Sequence, residues 1–355
     1  MTTPSFAASD NAIRAARAGD LRAAVGLARH AYRMARAEGL HAQQWALNAL
    51  ALVQGAHGMF IESVATSIDA FKLAQELGER AGSMHALVTM SGAASFILET
   101  DEVSIAMLAI GTREAKALGD VALQVRIDNT LGILHLNRRE FAEADAAYDR
   151  ALAAVGPSDS RAALFTPDYL IAGNQTFMHI RRAIQTLPPE HDEVCQRALA
   201  RILRAIDVAR EHANVDAEAR ALFGLGMLQA HLGQTDQALA AFVETVSIAQ
   251  RIHHAPRLVD TYIEMAGVHA TLGDLKAALS AYDDAFEIAD AHRPTSKLSR
   301  ICEGIADVYA GLGMAREASH FQAKAQHERD VFSRENDHAM RDIKAFWERL
   351  EASAG

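Results

Sequence analysis

A phrase that returns every 40 residues constrains this chain more than any other feature. Leu232-Gly233, Leu272-Gly273 and Leu312-Gly313 place three glycines 40 residues apart. An alanine follows each glycine by five residues (Ala238, Ala278, Ala318) and an aromatic by eight or nine (Phe242, Tyr282, Phe321). Twelve residues on stand Thr245, Ala285 and Ala325. A fixed period with small and bulky positions in phase marks stacked supersecondary units, none of which buries its apolar face alone. Half of the 355 residues are hydrophobic, only 6% are aromatic and prolines number 7. Such a mixture, rich in alanine, favours helix over strand. Each unit therefore reads as two amphipathic helices joined at the glycine, with small residues admitting close helix approach and the aromatic filling the space between.

Carried backwards, the phase places earlier turns at Gly19, Gly58, Thr100 and Arg139. The interval from Arg139 to Gly233 holds one normal repeat and one lengthened by loop-like residues. Its intervening turn is expected near Glu193, with the excess within about 156–192 around Gly156-Pro157 and Pro188-Pro189. The expected organisation is a loose tail over 1–9, with Ser9 or Asp10 capping the first helix. An array of about eight helix pairs follows over 10–325, and a terminal segment over 326–355.

These residues resemble the tetratricopeptide repeat. Leu225-Gly226, Leu232-Gly233, Ala238 and Phe242 carry the resemblance. It is echoed by Ala266, Leu272-Gly273, Ala278 and Tyr282, and again by Ala306, Tyr309, Leu312-Gly313 and Ala318. The period departs from the family's roughly 34 residues. This longer form is similar to arrays in bacterial signalling proteins, including peptide-pheromone receptors and the N-terminal regions of diguanylate cyclases. The resemblance implies an all-α, right-handed superhelical α-solenoid in the cytoplasm, without a cofactor, whose concave face binds a protein or peptide.

In that architecture the first helix of each pair lines the concave side. Counting back from each turn, the face away from the core carries Asn48, Arg126, Asn129, Asn174, Arg220, Glu264, Glu303 and Asp307. Asparagine offers a donor and an acceptor to an extended backbone, and arginine grips carboxylates in a two-bonded fork. The expected ligand is a peptide whose carboxyl groups lie near Arg126 and Arg220. Near the C-terminus, Phe332, Asn336, Ala339, Ile343, Phe346 and Leu350 recur at alternating steps of four and three. That is a coiled-coil seam, read either as a homodimer contact or as a cap over the last repeat.

Other functions find little support. The net charge of −10 argues against nucleic acid as a partner, and no run of about 18 apolar residues argues for a membrane span. No Walker loop, dinucleotide fingerprint, nucleophile elbow or paired-cysteine motif occurs, so no catalytic or metal-binding residue is expected. Cys195 and Cys302 form no ligand pattern, and His135 and His269 read as packing residues. The absence of a Gly-Gly-Asp/Glu-Glu-Phe motif leaves a diguanylate-cyclase sensor only as a region parted from its catalytic domain. A pheromone-responsive phosphatase regulator would need a side chain such as Gln43 or Gln44.

Overall fold

A computed structural model describes residues 3–17, 20–97, 101–156, 166, 168–186, 190–211, 213–291 and 297–354. Among them are sixteen helices and no strand. The chain divides into two units, Met1–Met178 with Asn336–Gly355, and His179–Glu335.

The first unit contains α1 (Pro4–Arg17), α2 (Leu21–Glu38), α3 (Leu40–Ala56), α4 (Phe60–Glu76) and α5 (Arg80–Ala94). It continues through α6 (Asp101–Leu118), α7 (Val121–Asn137), α8 (Phe141–Ala154) and most of α9 (Asp168–Gln185). The second unit contains α10 (His191–Glu211), α11 (Val215–His231), α12 (Thr235–Arg251), α13 (Ala255–Thr271), α14 (Leu275–Asp290) and α15 (Lys297–Gly311). The last helix, α16 (Ala315–Ala354), begins in the second unit and ends in the first.

Turn chemistry explains the period. Gly58, Gly233, Gly273 and Gly313 all have φ between 72° and 83°, the left-handed region that a side chain disfavours. The next amide then bonds a carbonyl five residues back: Gln234 to Gln229 at 2.9 Å, Asp274 to His269 at 3.0 Å and Met314 to Tyr309 at 2.9 Å. This closes the helix end and satisfies carbonyls that would otherwise lack partners. Arg139, at φ 62°, occupies the same conformation without being glycine. Asp120, Asn214 and Asp274 then cap the following helices through their side chains.

Close approach explains the in-phase aromatics. A Cβ on Gly226 would lie 2.5 Å from the Phe242 ring, and one on Gly132 would lie 2.4 Å from Tyr148. Both rings are fully buried. In the next repeat Ala266 stands where Gly226 stood, and the Tyr282 ring lies instead against Gly304 of the following pair.

Several boundaries depart from expectation. Helix α1 starts at Pro4, so residues 4–9 are helix and not a loose tail. The amide of Ser5 donates to the Glu38 carboxylate at 3.2 Å, as does its hydroxyl, and Ser9 is completely buried. A carboxylate from the end of α2 thus serves the first turn, which local capping rules cannot foresee. Glu193 lies inside the first turn of α10, not at a turn. Thr100, Gly19 and the prolines near 157 and 188 lie outside the described residues. The terminal segment begins well before 326, because α16 is continuous from Ala315.

The seam of α16 is corrected as well. Ala339, Ile343 and Phe346 are buried in the core of the first unit, with Leu350 packed against it. The Phe346 ring meets Phe71 of α4 edge-on at 5.0 Å. A heptad pattern specifies an apolar stripe but not its partner. Here the stripe from Ala339 to Leu350 finds its partners within the same chain, in the first unit and not on the last repeat. Phe332 is half-buried in the second unit. No helix among the described residues is long and apolar enough to cross a membrane.

Candidate functional site

The expected groove residues divide between the units, and three of the four in the first unit, Asn48, Arg126 and Asn129, are buried. Asn48 is buried and donates to the Gly82 carbonyl at 3.2 Å. Asn129 accepts from Asn174 at 3.0 Å. Arg126 is only 5% exposed; its guanidinium lies 2.7 Å from Nδ1 of His85 and donates to Thr89 at 2.5 Å. These side chains join neighbouring repeats, with Asn48, Arg126 and Asn129 buried and Asn174 half-buried. The expectation that Arg126 and Arg220 grip one peptide together is therefore corrected. Arg126 is engaged in the core of the first unit, whereas Arg220 belongs to the second. Gln44 is buried against Gly82 and is no exposed catalytic candidate. His135 links to Glu140 across its turn, through Nδ1 at 2.7 Å.

The second unit is different. Helices α11, α13 and α15 each begin a pair, and their polar faces form a charged ladder. Lys297 reaches Asp260 at 2.6 Å, and Arg300 reaches Glu264 at 2.9 Å. Glu303 pairs with Arg329, while Asp307 is exposed. Two of the expected acidic groove residues, Glu264 and Glu303, are thus already matched by bases from α15 and α16.

At the α11–α13 end of this ladder two arginines and a histidine gather around a buried carboxylate. Asp216 is buried, with Arg220 at 3.7 Å and His254 at 3.8 Å. Arg257 completes the group, its guanidinium 5.2 Å from the centre of the Phe223 ring. Its Nε is buried without a hydrogen-bond partner, and among the described residues no carboxylate lies within ion-pair distance of it. Burial, reinforced by the charge of Arg220, pushes Arg257 down to about 10. Burial and then Arg257 push His254 down to about 4. The neutral imidazole agrees with its geometry, since Nδ1 accepts the Arg257 amide at 3.1 Å as the cap of α13. Arg257 feels the carboxylates of Asp216 and Asp260 without bonding to either, and a guanidinium so placed suits an incoming carboxylate.

Sequence reasoning found Arg220 but missed Asp216, His254 and Arg257. The repeat phase contained a signal. Arg257 and Lys297 both stand 16 residues before their turn glycines, and Arg220, Asp260 and Arg300 all stand 13 before theirs.

A further cluster was missed entirely. His191 and Cys195, one turn apart on α10, meet His231 at the end of α11. The Nε2 atoms of the two histidines are 2.8 Å apart, and Cys195 Sγ is 3.6 Å from that of His191.

The family model for anaphase-promoting complex subunit 5 matches residues 193–259 and 253–307. No curated protein sequence matches the chain. Among solved structures, a Rap protein complexed with competence and sporulation factor has a TM-score of 0.58 at 14% identity. That likeness covers 98% of this chain and 93% of the other. BtubC from P. vanneervenii has a TM-score of 0.50 at 19% identity, covering 66% and 92% respectively. Identities this low speak only for the fold, but they agree with the period, the glycine turns and the paired helices: the chain is a tetratricopeptide-like helical-repeat protein.

Proposed function

We propose that the chain is a non-catalytic scaffold of a cytosolic regulatory system, and that its second unit holds an acidic peptide or protein segment. One observation carries this reading: Arg257, over the Phe223 ring and close enough to Arg220 to feel its charge, has its Nε buried without a hydrogen-bond partner and no carboxylate within ion-pair distance among the described residues. Placing two guanidinium groups together in a partly dry site is unfavourable unless further negative charge arrives. A ligand carboxylate would supply it, in the forked geometry that guanidinium favours. At the other end of the ladder exposed Asp307 suits a positive group, which gives a bound segment a direction. The Rap protein of like fold is complexed with competence and sporulation factor, so the architecture is compatible with receiving a ligand.

Selection of a displayed random-peptide library on the full chain tests the reading, followed by calorimetry on the recovered peptides. They are expected to be acidic. Exchanging Arg220→Gln together with Arg257→Gln is expected to weaken them by about tenfold or more, the scale of one lost charge-assisted bond. Peptides that bind the double variant as tightly as the native chain overturn the assignment.

A further inference from the structure

We propose that His191, Cys195 and His231 form a site for a divalent transition-metal ion, zinc by the character of its donors. The inference concerns the opposite end of α11 from Asp216 and Arg220 and does not depend on the peptide reading. His191 and Cys195 are four residues, about one turn, apart at the start of α10, so both side chains lie on one face. His231, the last residue of α11, brings a third donor from the adjacent helix.

The geometry fits a tetrahedral ion closely. With bonds of about 2.0–2.1 Å to nitrogen and about 2.3 Å to sulfur, tetrahedral ligands sit roughly 3.3 Å apart for two nitrogens and roughly 3.6 Å for nitrogen and sulfur. The Cys195–His191 separation of 3.6 Å already has this value. The two histidine nitrogens, at 2.8 Å, need to part by about half an ångström. His231 is exposed and can make that movement.

The surroundings agree. Nδ1 of His191 lies 3.2 Å from the Asp192 carboxylate, which turns Nε2 towards the other two donors in the manner of a carboxylate–histidine–metal relay. A bound cation would take Cys195 as the thiolate, its proton passing to solvent. Three protein ligands with one exposed side leave the fourth position to water. Such an ion would fasten α10 to α11, the junction between the lengthened part of the array and its regular repeats.

Cobalt(II) titration of the full reduced chain tests the site. The expected result is one equivalent bound with a thiolate-to-cobalt charge-transfer band, displaced by zinc. Cys195→Ser is expected to abolish the band and Cys302→Ser to leave it intact. His231→Ala, at an exposed position, is expected to weaken binding at least tenfold while the helical circular dichroism is retained. A folded native chain that shows no thiolate band overturns the proposal, as does a band that survives Cys195→Ser or an affinity unchanged in His231→Ala.

Discussion

Gly226 and Gly267 submit one substitution, glycine to alanine, to opposite forces. Both lie inside helices, α11 and α13, where the exchange removes a backbone-entropy penalty of about 0.8–1 kcal/mol. At Gly267 nothing lies within 4 Å of the added Cβ, so Gly267→Ala should stabilise by about that amount. At Gly226 the same atom would sit 2.5, 2.6 and 2.9 Å from three carbons of Phe242. That ring is wholly buried and also packs on Phe223 at a centroid distance of 6.1 Å. An ordinary carbon contact of about 3.5 Å requires the ring to retreat by roughly 1 Å, and overpacking of this kind costs about 1–3 kcal/mol. The propensity gain of about 0.8–1 kcal/mol offsets only the low end of that cost. Gly226→Ala is expected to be neutral to about 2 kcal/mol destabilising, and the two variants should differ by about 1–3 kcal/mol. Guanidinium unfolding followed by far-ultraviolet circular dichroism measures this, with midpoints compared only where the slope is unchanged, since repeat arrays can lose two-state behaviour. Adding Phe242→Leu should shrink the penalty of Gly226→Ala, because the clash is with the ring itself. A Gly226→Ala chain that unfolds at the same or higher denaturant than Gly267→Ala refutes the reasoning.

Two further outcomes follow from buried groups. Phe346→Ala, which removes a ring 5% exposed and set edge-on to Phe71, should destabilise by about 3–5 kcal/mol while leaving the sedimentation mass unchanged; an altered mass at native stability would restore an intermolecular role for that seam. His254 has a folded pKa of about 4 against an ordinary value of 6.5. The unfolded chain therefore takes up its proton first, and the contribution is complete above pH 6.5 and lost as pH falls towards 4, up to on the order of 3 kcal/mol. Asn in place of His254 keeps a capping acceptor but does not titrate, so His254→Asn should flatten the loss of stability between those pH values. A native chain and variant with parallel profiles there would show that His254 does not titrate with folding.

The helical repeat was legible because it is written in local rules. Leu-Gly at turns, small residues opposite Phe242, and Asp or Asn before α11 and α14 each act within a few residues of themselves. The phase even contained Arg257, although only an alignment of the repeats with one another would have drawn it out. What escaped was every contact made across distance. Arg126 looked like a groove residue because its helical face is polar, yet that face meets His85 and Thr89 of the preceding repeat. Ser5 begins a helix because Glu38 reaches it.

By itself, then, the order of residues determined that this protein is built of paired helices, since periodicity and turn conformation are properties of short stretches of backbone. The partner of each exposed stripe and each polar side chain was decided only in three dimensions. The heptads of α16 close on Phe71 of the same chain, and two histidines 40 residues apart share a cysteine. The reason is physical: burial and charge depend on whatever is nearby in space, and linear spacing carries that information only as far as about one helical turn.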